Sequence, residues 1–251
     1  MGEWVRASAI GAARKGGIAL PNEVLWFAFA VIDLSIVLLL FRYFGRLGLY
    51  AAIIAGTIAS NVQVVKTVTL FGLEATLGNI TYASIFFATD VLNERYGRRE
   101  ALQGVVLGFV VLVSFTVTMQ WALLLEPGPG DFAHPAMATI FGLLPRVAAA
   151  SLAAYAISQT LDVYLFHIIR ERTGPRHLWL RNNGSTWTSQ AVDSLVFVLG
   201  AFLGVLPWPT LWQVLLTTYI LKVLVAALDT AFIYMAVRLG PRGAEPREGE
   251  A

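Results

Sequence analysis

The chain has 251 residues and a formal charge of +2, with 57% of its residues in the set AVILMFWYC and only 14% charged. A soluble domain of this length carries about 25% charged residues, so this composition excludes an ordinary soluble enzyme and points to a bilayer. The lack of cysteine excludes disulfides, zinc–thiolate sites, iron–sulfur clusters and cysteine nucleophiles, and the basic residues lie in scattered clusters instead of a stripe along which nucleic acid could run.

Residues 1–22 form a basic, Ala/Gly-rich tail with Arg6, Arg14 and Lys15. It lacks an apolar core followed by a small-residue cleavage site, so it does not read as a cleaved signal peptide. A single transmembrane domain is expected over 23–238. An apolar helix crosses about 30 Å of hydrocarbon in about 20 residues, and segments of that order fall at about 24–41, 49–71, 77–94, 101–125, 146–169, 186–206 and 210–237. The expected fold is all-α, a polytopic membrane helical bundle of about seven transmembrane helices. Residues 239–251 contain Gly240-Pro241-Arg242-Gly243-Ala244-Glu245-Pro246 and are expected to be a disordered tail.

Short-loop charge sets the orientation. Arg42 and Arg46 follow the first segment; Arg95, Arg98 and Arg99 the third; Arg170, Arg172, Arg176 and Arg181 the fifth; Arg238, Arg242 and Arg247 the seventh. The alternate loops 72–76, 126–138 and 207–209 contain no Lys or Arg. This bias places the C-terminus in the cytoplasm and, with an odd number of spans, the N-terminus outside. The basic N-terminal tail argues the other way.

A charge within the hydrocarbon is costly unless it faces protein or water, so each one is a functional candidate. Asp33, Lys66, Asp90, Glu94, Asp162, Asp193, Lys222 and Asp229 qualify. Ser158-Gln159-x-x-Asp162 with Phe166 repeats as Ser189-Gln190-x-x-Asp193 with Phe197. Gln, Asp and Phe at i, i+3 and i+7 share a helix face, so two consecutive antiparallel helices each present an amide, a carboxylate and an aromatic ring, with the two aspartates expected at one level. Carboxylates and amides offer planar donors and acceptors and aromatics a stacking face, which suits a flat heterocycle with N–H groups such as a purine-like base. Inorganic ions and protons are alternative ligands of the same acids. The chain lacks a G-x-x-x-x-G-K-[ST] loop and is not itself an ATP motor. No metal site or cofactor is expected.

The run Lys66-Thr67-Val68-Thr69-Leu70-Phe71-Gly72, then Ile80-Thr81-Tyr82, then Ala88-Thr89-Asp90-Val91-Leu92-Asn93-Glu94-Arg95-Tyr96-Gly97 and Ala101 resembles the signature of the vitamin uptake transporter family. The second half agrees, with the doubled S-Q-x-x-D, Trp179-Leu180-Arg181-Asn182-Asn183 leading into Ser185-Thr186, and Tyr219 with Lys222. The resemblance covers about Asn61 to Tyr234. It implies an integral importer of 7-deazaguanines, the 7-cyano and 7-aminomethyl precursors of queuosine in transfer RNA, working as a homodimer in the plasma (inner) membrane. The family pattern has about six spans beginning near Asn61, so the first segment reads as an added N-terminal helix.

Asp162, Asp193, Gln159 and Gln190 lead the candidate substrate contacts; the competing role is helix pairing, with the acids held by Lys222 or Arg146. Asp90, Asn93 and Glu94 either bind substrate, gate the cytoplasmic mouth, or pair on the surface with Arg95 and Arg98. Lys66 and Lys222 neutralise acids or change partners, and Lys66 alternatively snorkels to the interface. Asn61 shares a helix with Lys66. Arg181 either locks the cytoplasmic loop or serves orientation alone. Two other classes remain open: a substrate-capturing subunit of a multi-component ATP-driven importer, and an intramembrane aspartyl enzyme, whose Gly-flanked, tyrosine-adjacent acids this chain lacks.

Overall fold

A computed structural model describes residues 20–173 and 178–240. Along the chain run α1 (Asn22–Gln63), β1 (Thr67–Leu70), β2 (Leu73–Thr76), α2 (Asn79–Tyr96), α3 (Arg98–Leu124), α4 (His134–Phe141), α5 (Leu144–Thr173), α6 (Leu178–Phe202) and α7 (Trp208–Leu239). The architecture is the all-α membrane bundle expected from hydropathy, with one small hairpin added.

The first two expected spans are the limbs of α1. Its helical geometry breaks at Gly45 (φ 56°, ψ −130°), a conformation in which only glycine is comfortable. The chain folds back there so tightly that a Cβ on Gly48 would collide with the Leu40 carbonyl. The start of α1 accordingly lies beside the segment after its end, where Asn22 Nδ2 donates to the Thr69 carbonyl at 3.0 Å. The stretches Asn22–Gln63, Arg99–Leu124, His134–Ser158 and Trp208–Val225 are long and apolar enough to cross a membrane. Large apolar side chains on the outer face of α3, among them Val106, Val110, Val117, Trp121 and Leu124, are half or more exposed. Such a face is a liability in water and the normal state of a helix against lipid, and the chain is a multi-pass membrane protein.

The less apolar α2, with Asp90, Glu94 and Arg95 in 18 residues, packs against α1, α3 and α7. Phe87, Val91 and Leu92 of α2 pack with Leu34, Phe41, Leu49 and Ile53 of α1 in one core cluster. A second cluster joins Trp26, Ile80, Leu221 and Val225 to Leu70 and Ala75 of the hairpin. A third holds α5, α6 and α7 together through Val147, Val198, Phe202, Leu211 and Val214.

The second expected segment, carried to residue 71, overruns the helix, which ends at Gln63. Thr67-Val68-Thr69-Leu70 alternates with a period of two and is rich in branched side chains, which favours a strand. It pairs antiparallel with Leu73–Thr76 across a two-residue turn, Phe71-Gly72, with φ of +52° and +79°. A hydropathy window sees the apolar content of this run and is blind to its period. Lys66, just past the helix, is therefore an exposed turn residue at the hairpin's base. The loop expected at 126–138 also contains the start of α4, with a proline in its first turn.

Candidate functional site

Six helices converge near the middle of the bundle. The second limb of α1 brings Thr57 and Asn61, α2 brings Tyr82, Phe86 and Asp90, α3 brings Phe109, α5 brings Ser151, Tyr155 and Ser158, α6 brings Asp193 and Phe197, and α7 brings Lys222. Within each helix these residues recur at intervals of three or four, so they lie on one face.

Among the described residues the best-buried charges are Asp193, 1% exposed, and Lys222, 8% exposed, which form an ion pair across α6 and α7. The pair uses both oxygens of the carboxylate: Oδ2 takes the Lys222 ammonium and Oδ1 accepts from Ser158 Oγ at 3.1 Å. Lys222 Nζ also stands 4.6 Å from the centroid of the Tyr82 ring, an attractive cation–π arrangement when desolvated. A buried ion pair is tolerated only with such additional partners, and here the partners come from α2, α5, α6 and α7.

Asn61 forms a second cross-link. Its amide Nδ2 donates to the Thr57 carbonyl at 2.8 Å, and its Oδ1 accepts from Ser151 Oγ at 3.0 Å, joining α1 to α5. Asn61, Tyr82 and Ser151 are shared walls of two adjoining spaces. The smaller, about 20 Å³, lies against Asn79, Phe197 and Lys222. The larger, about 100 Å³, extends to Thr89, Asp90, Phe109 and Tyr155. Two edge-to-face aromatic pairs flank it: Tyr82–Phe86, centroids 5.0 Å apart at 76°, and Phe109–Tyr155, 5.0 Å apart at 83°.

Of the candidates drawn from the sequence, Asn61, Asp90 and Lys222 line one or both of these spaces, and Asp193 lines neither but is paired with Lys222. Asn93 and Glu94 are exposed farther along α2, and Lys66 is exposed beyond α1; none of the three lines either space. Gln190 is half-buried on α6, one turn before Asp193. The backbones of Gln159 and Asp162 in α5 and of Arg181 in α6 are helical, and their side chains lie outside the described residues. The helices α5 and α6 run antiparallel: Arg146, near the start of α5, donates to the Gly200 and Leu203 carbonyls at the end of α6 at 2.8 and 2.5 Å. With Ser158 opposite Asp193, the register sets Asp162 one turn, about 6 Å, away from the level of Asp193. Arg146 thus closes a helix end, and the cation on Asp193 is Lys222.

Tyr82, Ser151, Tyr155 and Ser158 were missed as site residues. Tyr82, Phe86 and Asp90 at i, i+4 and i+8 were the readable signal, an acid continuing an aromatic stripe. Among the described residues no three His, Cys, Asp or Glu side chains group closely enough to hold a metal ion.

A family described as "Putative vitamin uptake transporter" matches residues 76–236. Over 222 residues, 88% of this chain and 96% of the relative, the sequence is 49% identical to the "Probable queuosine precursor transporter" of Bacillus subtilis (strain 168). It is 31% identical over 147 residues, 57% of this chain and 62% of the relative, to the "Queuosine precursor transporter" of Escherichia coli (strain K12). No solved structure matches.

Proposed function

The chain belongs to the vitamin uptake transporter family, and on that premise we propose that it imports 7-deazaguanine precursors of queuosine, the 7-cyano or 7-aminomethyl base, across the plasma (inner) membrane. The observation that carries this reading is the central space itself: it is walled by aromatic pairs and carries a carboxylate, an amide and hydroxyls. A planar purine-like base offers the matching stacking face and N–H edge. Relatives named as queuosine precursor transporters narrow the base to a precursor of queuosine, for which the family resemblance implies a 7-deazaguanine. In this reading the C-terminus is cytoplasmic, the active unit is a homodimer, and no coupled ATPase is required.

The test is uptake of radiolabelled 7-cyano-7-deazaguanine into liposomes containing only this chain, without ATP. Saturable uptake, competed by unlabelled 7-aminomethyl-7-deazaguanine and not by uracil, is expected. Uptake that appears only when a separate ATPase and coupling protein are added would replace the solitary importer with the capture-subunit reading.

A further inference from the structure

We infer that Asp90 is the residue that reads the base, accepting two parallel N–H bonds from the N1–H and 2-amino edge of a 2-amino-6-oxo-pyrimidine ring, while the Asp193–Lys222 pair is a cross-link that the substrate does not displace. This inference rests on the proposed transport of deazaguanines. Of the acids whose side chains are described, Asp193 has both oxygens occupied, by Lys222 and Ser158. Asp33, on the first limb of α1, accepts the Ser84 hydroxyl and lines neither central space. Glu100, in the first turn of α3, takes the Arg46 guanidinium at 3.1 Å and the Tyr50 hydroxyl at 2.5 Å and lines neither space. Asp90 lines the larger space and, among the described residues, has no ion-pair or hydrogen-bond partner. Its neighbour Thr89 spends its hydroxyl on its own helix, donating to the Ile85 carbonyl at 2.8 Å, and leaves the carboxylate open.

The walls suit the edge that Asp90 would hold. Phe86, one turn from Asp90, forms the aromatic stripe with Tyr82, and Phe109 with Tyr155 lines the same space. A flat ring between them would present its N–H edge to the acid. Asn61 and Ser151, already bonded to each other, line the part of the space that borders the smaller one.

In a two-point contact along its edge a carboxylate accepts twice, whereas an asparagine amide accepts once and donates once. The substitution Asp90→Asn should therefore change which base fits as well as how tightly. Full-length protein in detergent would be assayed by competition between 7-cyano-7-deazaguanine and its 6-deoxo analogue, 2-amino-7-cyano-7-deazapurine, whose N1 is an acceptor. The native protein should prefer the oxo base by about tenfold or more, the discrimination typical of one bidentate pair. Asp90→Asn should reverse the preference, and Asp90→Glu should keep its direction. Because both ligands compete for the same folded molecules, the ratio does not depend on how much of a variant folds. An unchanged ratio in Asp90→Asn overturns the assignment while leaving deazaguanine transport standing. Failure of the native protein to bind either base overturns both.

Discussion

At the scale of the residue, Asp193 and Lys222 show how a charge is kept inside lipid: the ion pair alone is insufficient, and a serine hydroxyl and an aromatic face complete it. Removing one member of a buried pair leaves an uncompensated charge, at a cost of about 3–5 kcal/mol, whereas removing both together costs far less. Lys222→Met should therefore lower the melting temperature of the purified protein by several degrees or more, and adding Asp193→Asn should restore most of the loss. A double variant that loses as much as the two single changes summed would show that the two side chains act independently. This part of the site was legible, because aspartate and lysine are rare enough in apolar spans to stand out. Tyr155 was not, because aromatic residues are ordinary in membrane helices and nothing in its identity separates a cavity wall from a lipid contact, whereas Tyr82 could be reached only through its spacing to Phe86 and Asp90. Asp90 stands out in the sequence for its charge, but that it has no ion-pair or hydrogen-bond partner among the described residues is something only the packing reveals.

At the scale of the element, the expected apolar segments were readable as helices and their junctions were not. Hydropathy averages over about 19 residues and so runs past Gln63 into the strand that begins at Thr67. The turn between the limbs of α1 rests on Gly45 and Gly48 within an otherwise helical sequence. The approach of α2 to α1 depends on another. A Cβ on Gly78 would lie 2.5 Å from the Ser60 carbonyl oxygen and 3.0 Å from the Val64 Cβ, so α2 begins almost in contact with the end of α1. Overpacking of this kind costs about 1–3 kcal/mol. Gly78→Ala should therefore reduce thermal stability and, because Gly78 lines the smaller space beside Asn79 and Tyr82, reduce deazaguanine uptake as well. Gly128, with nothing within 4 Å of a built Cβ, serves as the control, and Gly128→Ala should melt as the native protein does. Matching melts for the two variants would mean that the helices separate at no cost.

At the scale of the whole molecule, the basic residues gather at one end in structural roles. Arg42 donates to the Leu239 and Gly240 carbonyls at 3.0 and 2.9 Å, Arg95 to the Ala236 carbonyl at 3.4 Å, and Arg46 pairs with Glu100. The opposite end carries the hairpin and α4, with Lys66 and Arg146 as its basic residues among those described. If the arginine-rich end is cytoplasmic, a maleimide that cannot cross membranes should label Gly128→Cys in cells with an intact plasma membrane and Arg238→Cys only after permeabilisation. The native chain, free of cysteine, gives no background. The reverse pattern would invert the molecule. The helix α7 is moored at both ends. Near its start, Gln213 Oε1 accepts the Glu74 backbone N–H at 3.0 Å and the Thr217 hydroxyl donates to the Glu74 carbonyl at 2.9 Å; near its end, the two arginines grip its last carbonyls. Sliding α7 along its axis would cut both moorings together, whereas rocking it would cut one and let the other act as a pivot. A helix held in this way favours releasing one end at a time, the mechanical condition for a carrier that is never open to both sides at once.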